Sequence, residues 1–225
     1  MARKEGLIGR KLGMTQVFGD DGNHIPVTII QAGPCTVVGI RTRESHGYDA
    51  LQLGFEAGRK KMSKPAAGVF KKVNLEPMRV VREVRLEKPE MLQGYEVGKA
   101  LTADLFAAGE LVDVVGVTKG KGFQGGVKRH GWFGGDATHG SMFHRAPGSI
   151  GASSDPSRVW PGHRLPGRMG GVQRTVLNVA VVRVLPEQNL LLLRGAVPGA
   201  NGSLVMIRKS IKTTKQQLQK AADKK

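Results

Sequence analysis

The sequence is short of acids, aromatics and cysteine. Only 18 of its 225 residues are Asp or Glu, against 35 Lys and Arg, giving a formal net charge of +17 and a pI near 10.4. Self-repulsion of that size opposes compaction. It excludes a neutral metabolic domain as the default and points to a polyanionic partner. Aromatics at 5% beside 32 Gly argue against a helical bundle and for a β-rich domain with extended segments. The lone Cys35 can form neither an internal disulfide nor a Cys-based zinc site, and is expected as a small buried residue on a strand. No apolar run approaches the roughly 20 residues of a membrane span, and Leu190 to Leu193 is among the longest. No signal-peptide run follows Met1 to Glu5. The expectation is a cytoplasmic protein without membrane association. Hydrophobic residues at 40% suffice for a real core.

What is present reads first as short strands. Ile25 to Gln31 and Thr36 to Arg43 are β-branched, with turns at Asp20 to Asn23 and Gly33-Pro34. Tyr48 to Phe55, Arg79 to Leu86 and Leu111 to Val117 are further strands, and Pro65 suits the first turn of a short helix. Strand signals resume at Val172 to Leu185, Asn189 to Arg194 and Ser203 to Arg208. The predicted architecture is mainly β: a barrel-like core from residues 1–118 and 175–208, with short helical insertions. A long basic excursion spans 119–174. A basic tail over 209–225 is expected to be disordered without its partner.

The excursion differs sharply in composition. Between Lys119 and Arg174 there are 14 Gly, 9 Lys and Arg, 4 His and only 2 acids, Asp136 and Asp155. No helical or strand period survives, which in a stretch this long marks function or ordering by a partner. The cations are spread singly: Lys119, Lys121, Lys128, Arg129, Arg145, Arg158, Arg164, Arg168 and Arg174. Phe123, Trp132, Phe133, Phe143 and Trp160 lie between them. Cations neutralise phosphates, rings stack on unpaired bases, and glycine lets the backbone lie against a crowded surface. The pattern predicts nucleic-acid binding. No helix-turn-helix, zinc-finger or basic-zipper pattern is present, which favours RNA without excluding DNA.

Other chemistries fit poorly. Gly120 to Gly125 matches GxGxxG, but Gly126 to Gly131 is a poor helix and Asp136 lies too early for a dinucleotide site. His130, His139, His144 and His163 are spaced wrongly for shared metal ligation and sit beside Lys128, Arg129, Arg145 and Arg164. Ser149, Ser153 or Ser154 with a histidine and Asp155 lacks a nucleophile elbow. The expectation is no catalytic residue, no metal, no cofactor and no small-molecule substrate. The competing reading is another basic nucleic-acid-binding or RNA-modifying protein.

Nine segments, in order, carry a resemblance. They are Gly6 to Phe18, Ile25 to Cys35, Gly47 to Phe55, Lys64 to Lys72, Val112 to Arg129, Asp136 to Gly140, His144 to Gly151, Pro166 to Asn178 and Gly195 to Gly202. Over nearly its full length the chain resembles the bacterial large-subunit ribosomal protein three family. The resemblance implies a six-stranded β-barrel of the translation-protein type with a long loop reaching into large-subunit rRNA towards the peptidyl transferase centre. It implies binding near the 3′ end of that RNA, action early in subunit assembly, and neighbours such as the fourteenth and nineteenth large-subunit proteins. The loop tip would lie near His144 to Ser154, with Gly148, Ser149, Ile150 and Gly151 closest to the catalytic RNA. With the cations, Phe123, His130, Trp132, His139, His144 and Trp160 complete the expected RNA contacts. Two departures stand out. Ala152 occupies a position where many relatives carry a glutamine, methylated in some bacteria, so no such modification is expected there. His130, rather than tryptophan, follows Lys128-Arg129, and Trp132 comes two residues later.

Overall fold

A computed structural model describes residues 5–19, 21–58, 62–87 and 89–210. The chain divides into two compact units. One takes in residues up to Val117 and from Gln173 onward, and the other is Thr118–Val172.

The first unit holds a closed antiparallel barrel. Its strands are β1 (Gly6–Phe18), β2 (His24–Ala32), β7 (Leu111–Val117), β10 (Gln173–Leu185), β11 (Leu190–Arg194) and β12 (Leu204–Lys209). They run in the order β1-β12-β7-β10-β11-β2, and β2 pairs with β1 to close the ring. Closure leaves no exposed edge. The expected strands thus appear within a residue or two. β1 was not foreseen as a strand, because GLIGRKLGMTQVF breaks its apolar alternation with glycine and two cations. Its register slips between Lys11 and Gly13, which explains the broken period. Lys11 is buried, and its ammonium donates to the carbonyls of Val197 (2.8 Å) and Gly199 (3.3 Å).

The segment between β2 and β7 makes a second sheet. β3 (Cys35–Arg41), β4 (Ala50–Ala57), β5 (Met78–Arg85) and β6 (Ala100–Leu101) run in the order β5-β4-β3-β6. Three runs expected as strands therefore pair outside the barrel. β3 ends at Arg41 because Arg43–His46 forms a helical turn, α1, closed by Gly47 at φ 78°. The helix expected at Pro65 is α2 (Lys64–Lys72), with Pro65 in its first turn and Phe70 buried.

One apolar core joins the two sheets. Leu7, Ile30, Val112, Val114, Leu191, Leu193 and Ile207 from the barrel meet Val37, Leu53, Phe55 and Val84 from the second sheet in a single cluster. Each fully buried side chain of this size contributes about 1.5–3 kcal/mol. Cys35 is fully buried there and donates its S–H to the Ile8 carbonyl at 3.2 Å. Burial pushes its thiol up to about 12.

A charged clamp reinforces the join. Arg10 on β1 grips Glu56 on β4 through Nε to Oε1 (2.5 Å) and Nη2 to Oε2 (2.7 Å), and Arg79 on β5 approaches within 3.6 Å. The Arg10 hydrogen bonds hold the Glu56 carboxyl below its ordinary range. Partial burial opposes them, and the charges of Arg10 and Arg79 add to them.

The end of the barrel differs from expectation. Lys209, assigned to the tail, is the last residue of β12 and pairs with Val112, and Lys209 Nζ lies 3.2 Å from Glu5. Ser210 is buried, and its hydroxyl donates to Asn178 Oδ1 at 2.6 Å. Asn178 is the left-handed residue of a bulge in β10, with its N–H bonded to buried Asp113 at 2.9 Å. Residues 211–225 of the expected tail lie outside the described residues.

Candidate nucleic-acid interface

The Thr118–Val172 unit starts as two legs zipped by main-chain hydrogen bonds. Thr118 N–H donates to the Val172 carbonyl (3.0 Å) and Gly171 N–H to that of Thr118 (3.1 Å). Further along, Lys121 N–H donates to Met169 (2.9 Å), and Met169 N–H to Gly122 (2.9 Å). Then β8 (Phe123–Gln124) pairs with β9 (Gly167–Arg168). A single helical turn follows, α3 (Gly126–His130), capped by Gly131 at φ 74°. The sequence suggested neither the ladder nor the turn. The ladder is made by backbone atoms, so it leaves no side-chain period, and glycines that look like helix breakers bound a helix only five residues long.

Two expected RNA contacts tie the legs together. Arg129 Nη1 donates to the Leu165 carbonyl at 2.5 Å, and His130 Nε2 lies 3.0 Å from the same oxygen. Trp132 folds back on α3. Its ring covers Gly126 so closely that a Cβ there would come within 1.9 Å of it, and it stacks on His130 at 6.0 Å between centroids. Trp132 is half-buried in this contact.

Past the legs, residues 131–164 contain no strand or helix. They are held by local bonds between two strips. Gly135 N–H donates to the His144 carbonyl at 3.0 Å, and His144 Nδ1 sits 2.8 Å from the Asp136 carbonyl. The strips touch at Gly135, where any Cβ would lie 1.8 Å from the Phe143 carbonyl. Ser149 Oγ bridges to Gly151, donating to its carbonyl at 3.3 Å.

The remaining predicted residues face solvent. Lys119, Lys121, Phe123, Lys128, His139, Arg145, Gly148, Ser149, Gly151, Arg164 and Arg168 are exposed, as is Ala152. Arg158 is exposed and lies over the Trp160 ring, 4.5 Å from its centroid. Arg174 is elsewhere: it is an exposed residue of β10, paired with Gly116 in the first unit. No ion pair forms within the described residues of the second unit. No three His, Cys, Asp or Glu residues cluster as metal ligands among the described residues.

Two exposed residues stand outside the expected contacts: Phe133, named only among the rings between the cations, and Met142, not named at all. Phe133 is 105% exposed and Met142 99%. Phe133 had a signal, its place beside Trp132 among cations. Met142 had none, because the chemistry of its neighbours did not mark it. Both side chains stand fully in water, open to a partner.

Relatives supply the rest. The family model described as Ribosomal protein L3 matches residues 79–189. The chain is 51% identical over 209 residues to "Large ribosomal subunit protein uL3" of Carboxydothermus hydrogenoformans, covering 92% of this chain and 98% of that one. The chain belongs to the ribosomal protein L3 family. The protein of the same name from Pelotomaculum thermopropionicum is 52% identical over the same shares, and that of Syntrophus aciditrophicus 50% over 93% and 95%. The L3 match covers the barrel strands β7 and β10 and the whole Thr118–Val172 unit, so the basic excursion is part of the family's own chain.

Proposed function

We propose that this chain binds large-subunit rRNA through the Thr118–Val172 unit, near the RNA's 3′ end, and there supports the peptidyl transferase region. As an L3-family protein it is a structural constituent of the large ribosomal subunit and not an enzyme. The observation that carries the reading is the surface of one unit. Eight cations and two acids share it with fully exposed Phe133 and Met142. Free cations neutralise phosphates and let RNA helices approach, while exposed rings accept unpaired bases. The backbone ladder gives the unit a fixed root, so less order has to be acquired on binding. The barrel acts as the platform, and the protein joins the subunit early, in the cytoplasm, beside other ribosomal proteins.

The legs suggest the test. Thr118 already pairs with Val172 and Gly171 through main-chain bonds that survive the cut, so residues 121–168 can be removed and Gly120 joined to Met169 through a short turn. The shortened chain keeps its β circular dichroism and its cooperative melt but fails to enter large subunits in reconstitution. Normal entry into active subunits overturns the proposal.

A further inference from the structure

A hollow of about 390 Å³ opens in the second unit, lined by Trp132, Pro147, Ser149, Gly162, His163 and Arg164. We propose that it receives one unpaired base of the bound RNA. The inference rests on the RNA-binding reading and adds the kind of contact made at this place.

Three observations support it. First, Trp132 is held ready. Gly126 and His130 stand four residues apart on α3, hence on one helix face, and both touch the ring. Gly126 and His130 thus hold the indole in place, and the same ring lines the hollow. Second, the lining has no carboxylate. Arg164 and His163 bring donors to an exposed rim, and no bond within the described residues engages either side chain. A phosphate alone would be served by the loop's scattered cations. A ring wall with donors beside it fits a flat, acceptor-bearing base. Third, its volume of about 390 Å³ lies within the roughly 300–1,000 Å³ of small-ligand sites, room enough for one base.

The test uses the full chain labelled with 5-fluorotryptophan. Its two ¹⁹F resonances are assigned with Trp132→Phe and Trp160→Phe. The probes are r(A)6 and an abasic ribose-phosphate hexamer of the same charge, with binding followed by anisotropy. The expected result is a shifted Trp132 resonance with r(A)6 only, and r(A)6 binding about tenfold or more tighter than the abasic strand. Equal affinities with an unmoved Trp132 resonance overturn the base site while leaving phosphate binding intact. A Trp132 resonance moved equally by the abasic strand also overturns it. If neither probe binds at low salt, the RNA-binding reading itself fails. Arg164→Ala provides a second measurement. It is expected to weaken r(A)6 more than the abasic strand, and equal weakening of both overturns the rim's role in holding the base.

Discussion

Replacing Lys119, Lys121 and Lys128 together by alanine is the most direct probe of how the second unit holds RNA. All three are exposed, and no hydrogen bond or ion pair within the described residues occupies their ammonium groups. Removing them disturbs little of the ladder, which runs through main-chain atoms. Each phosphate neutralised by a lysine contributes about 0.9 to the slope of log affinity against log salt on helical nucleic acid. Three lost contacts therefore flatten the slope by about 2.7. Over a fourfold rise in salt, from about 50 to 200 mM, the triple variant loses about 40-fold less affinity than the parent does. Filter binding to large-subunit rRNA across that range measures both slopes. A triple variant with the parent's slope would refute the reasoning, because it would show that these charges never meet phosphate. A weakened intercept at an unchanged slope would refute it too, because it would point to a damaged fold.

Three other expectations concern the scaffold. Gly135→Ala places a Cβ 1.8 Å from the Phe143 carbonyl, so the two strips separate. Limited proteolysis should then cut within 131–164 while the melting temperature of the β core stays unchanged, and an unaltered digest contradicts the contact. Glu56→Gln loses the paired charge at Arg10 and costs about 1 kcal/mol, read from denaturant unfolding near neutral pH. Because the folded Glu56 carboxyl is lowered, its stabilisation is complete above the unfolded value and disappears as pH falls through the folded one. The difference between parent and variant should therefore shrink on the acid side, and a constant difference sinks the clamp. Cys35, buried and with its thiol pushed up to about 12, should resist a disulfide reagent at pH 8 in the native chain and react once unfolded. Rapid native labelling would show that the shared core opens readily.

Most strands were legible because β-branched runs bounded by Gly, Pro and Asn describe them locally, as in Leu111–Val117 and Leu190–Arg194. Their partners were not legible. Nothing in Thr36 or Val84 says that they pair in a sheet apart from the barrel, because pairing is decided by long-range packing on the shared core. β1 hid behind its own bulge. In the candidate interface, residue types gave the chemistry but not the division of work. Arg129 and His130 read as contacts to a partner, and each also holds the Leu165 carbonyl. Trp132 read as an RNA contact, and its ring also lies on α3 because Gly126 leaves room for it. Neither fact is visible without knowing which distant residue comes close.

β7 and β10 are neighbours in register, with Val117 opposite Gln173. Topologically the whole Thr118–Val172 unit is thus the turn of one hairpin. Closing a chain on itself grows harder only with the logarithm of its length, so a turn of this size opposes closure by only about 2 kcal/mol more than a tight one. Insertions and deletions inside it leave the barrel's strand register intact. A small, conservative vessel can in this way carry a reach that lengthens or shortens by mutation, without the folding of the vessel ever being renegotiated.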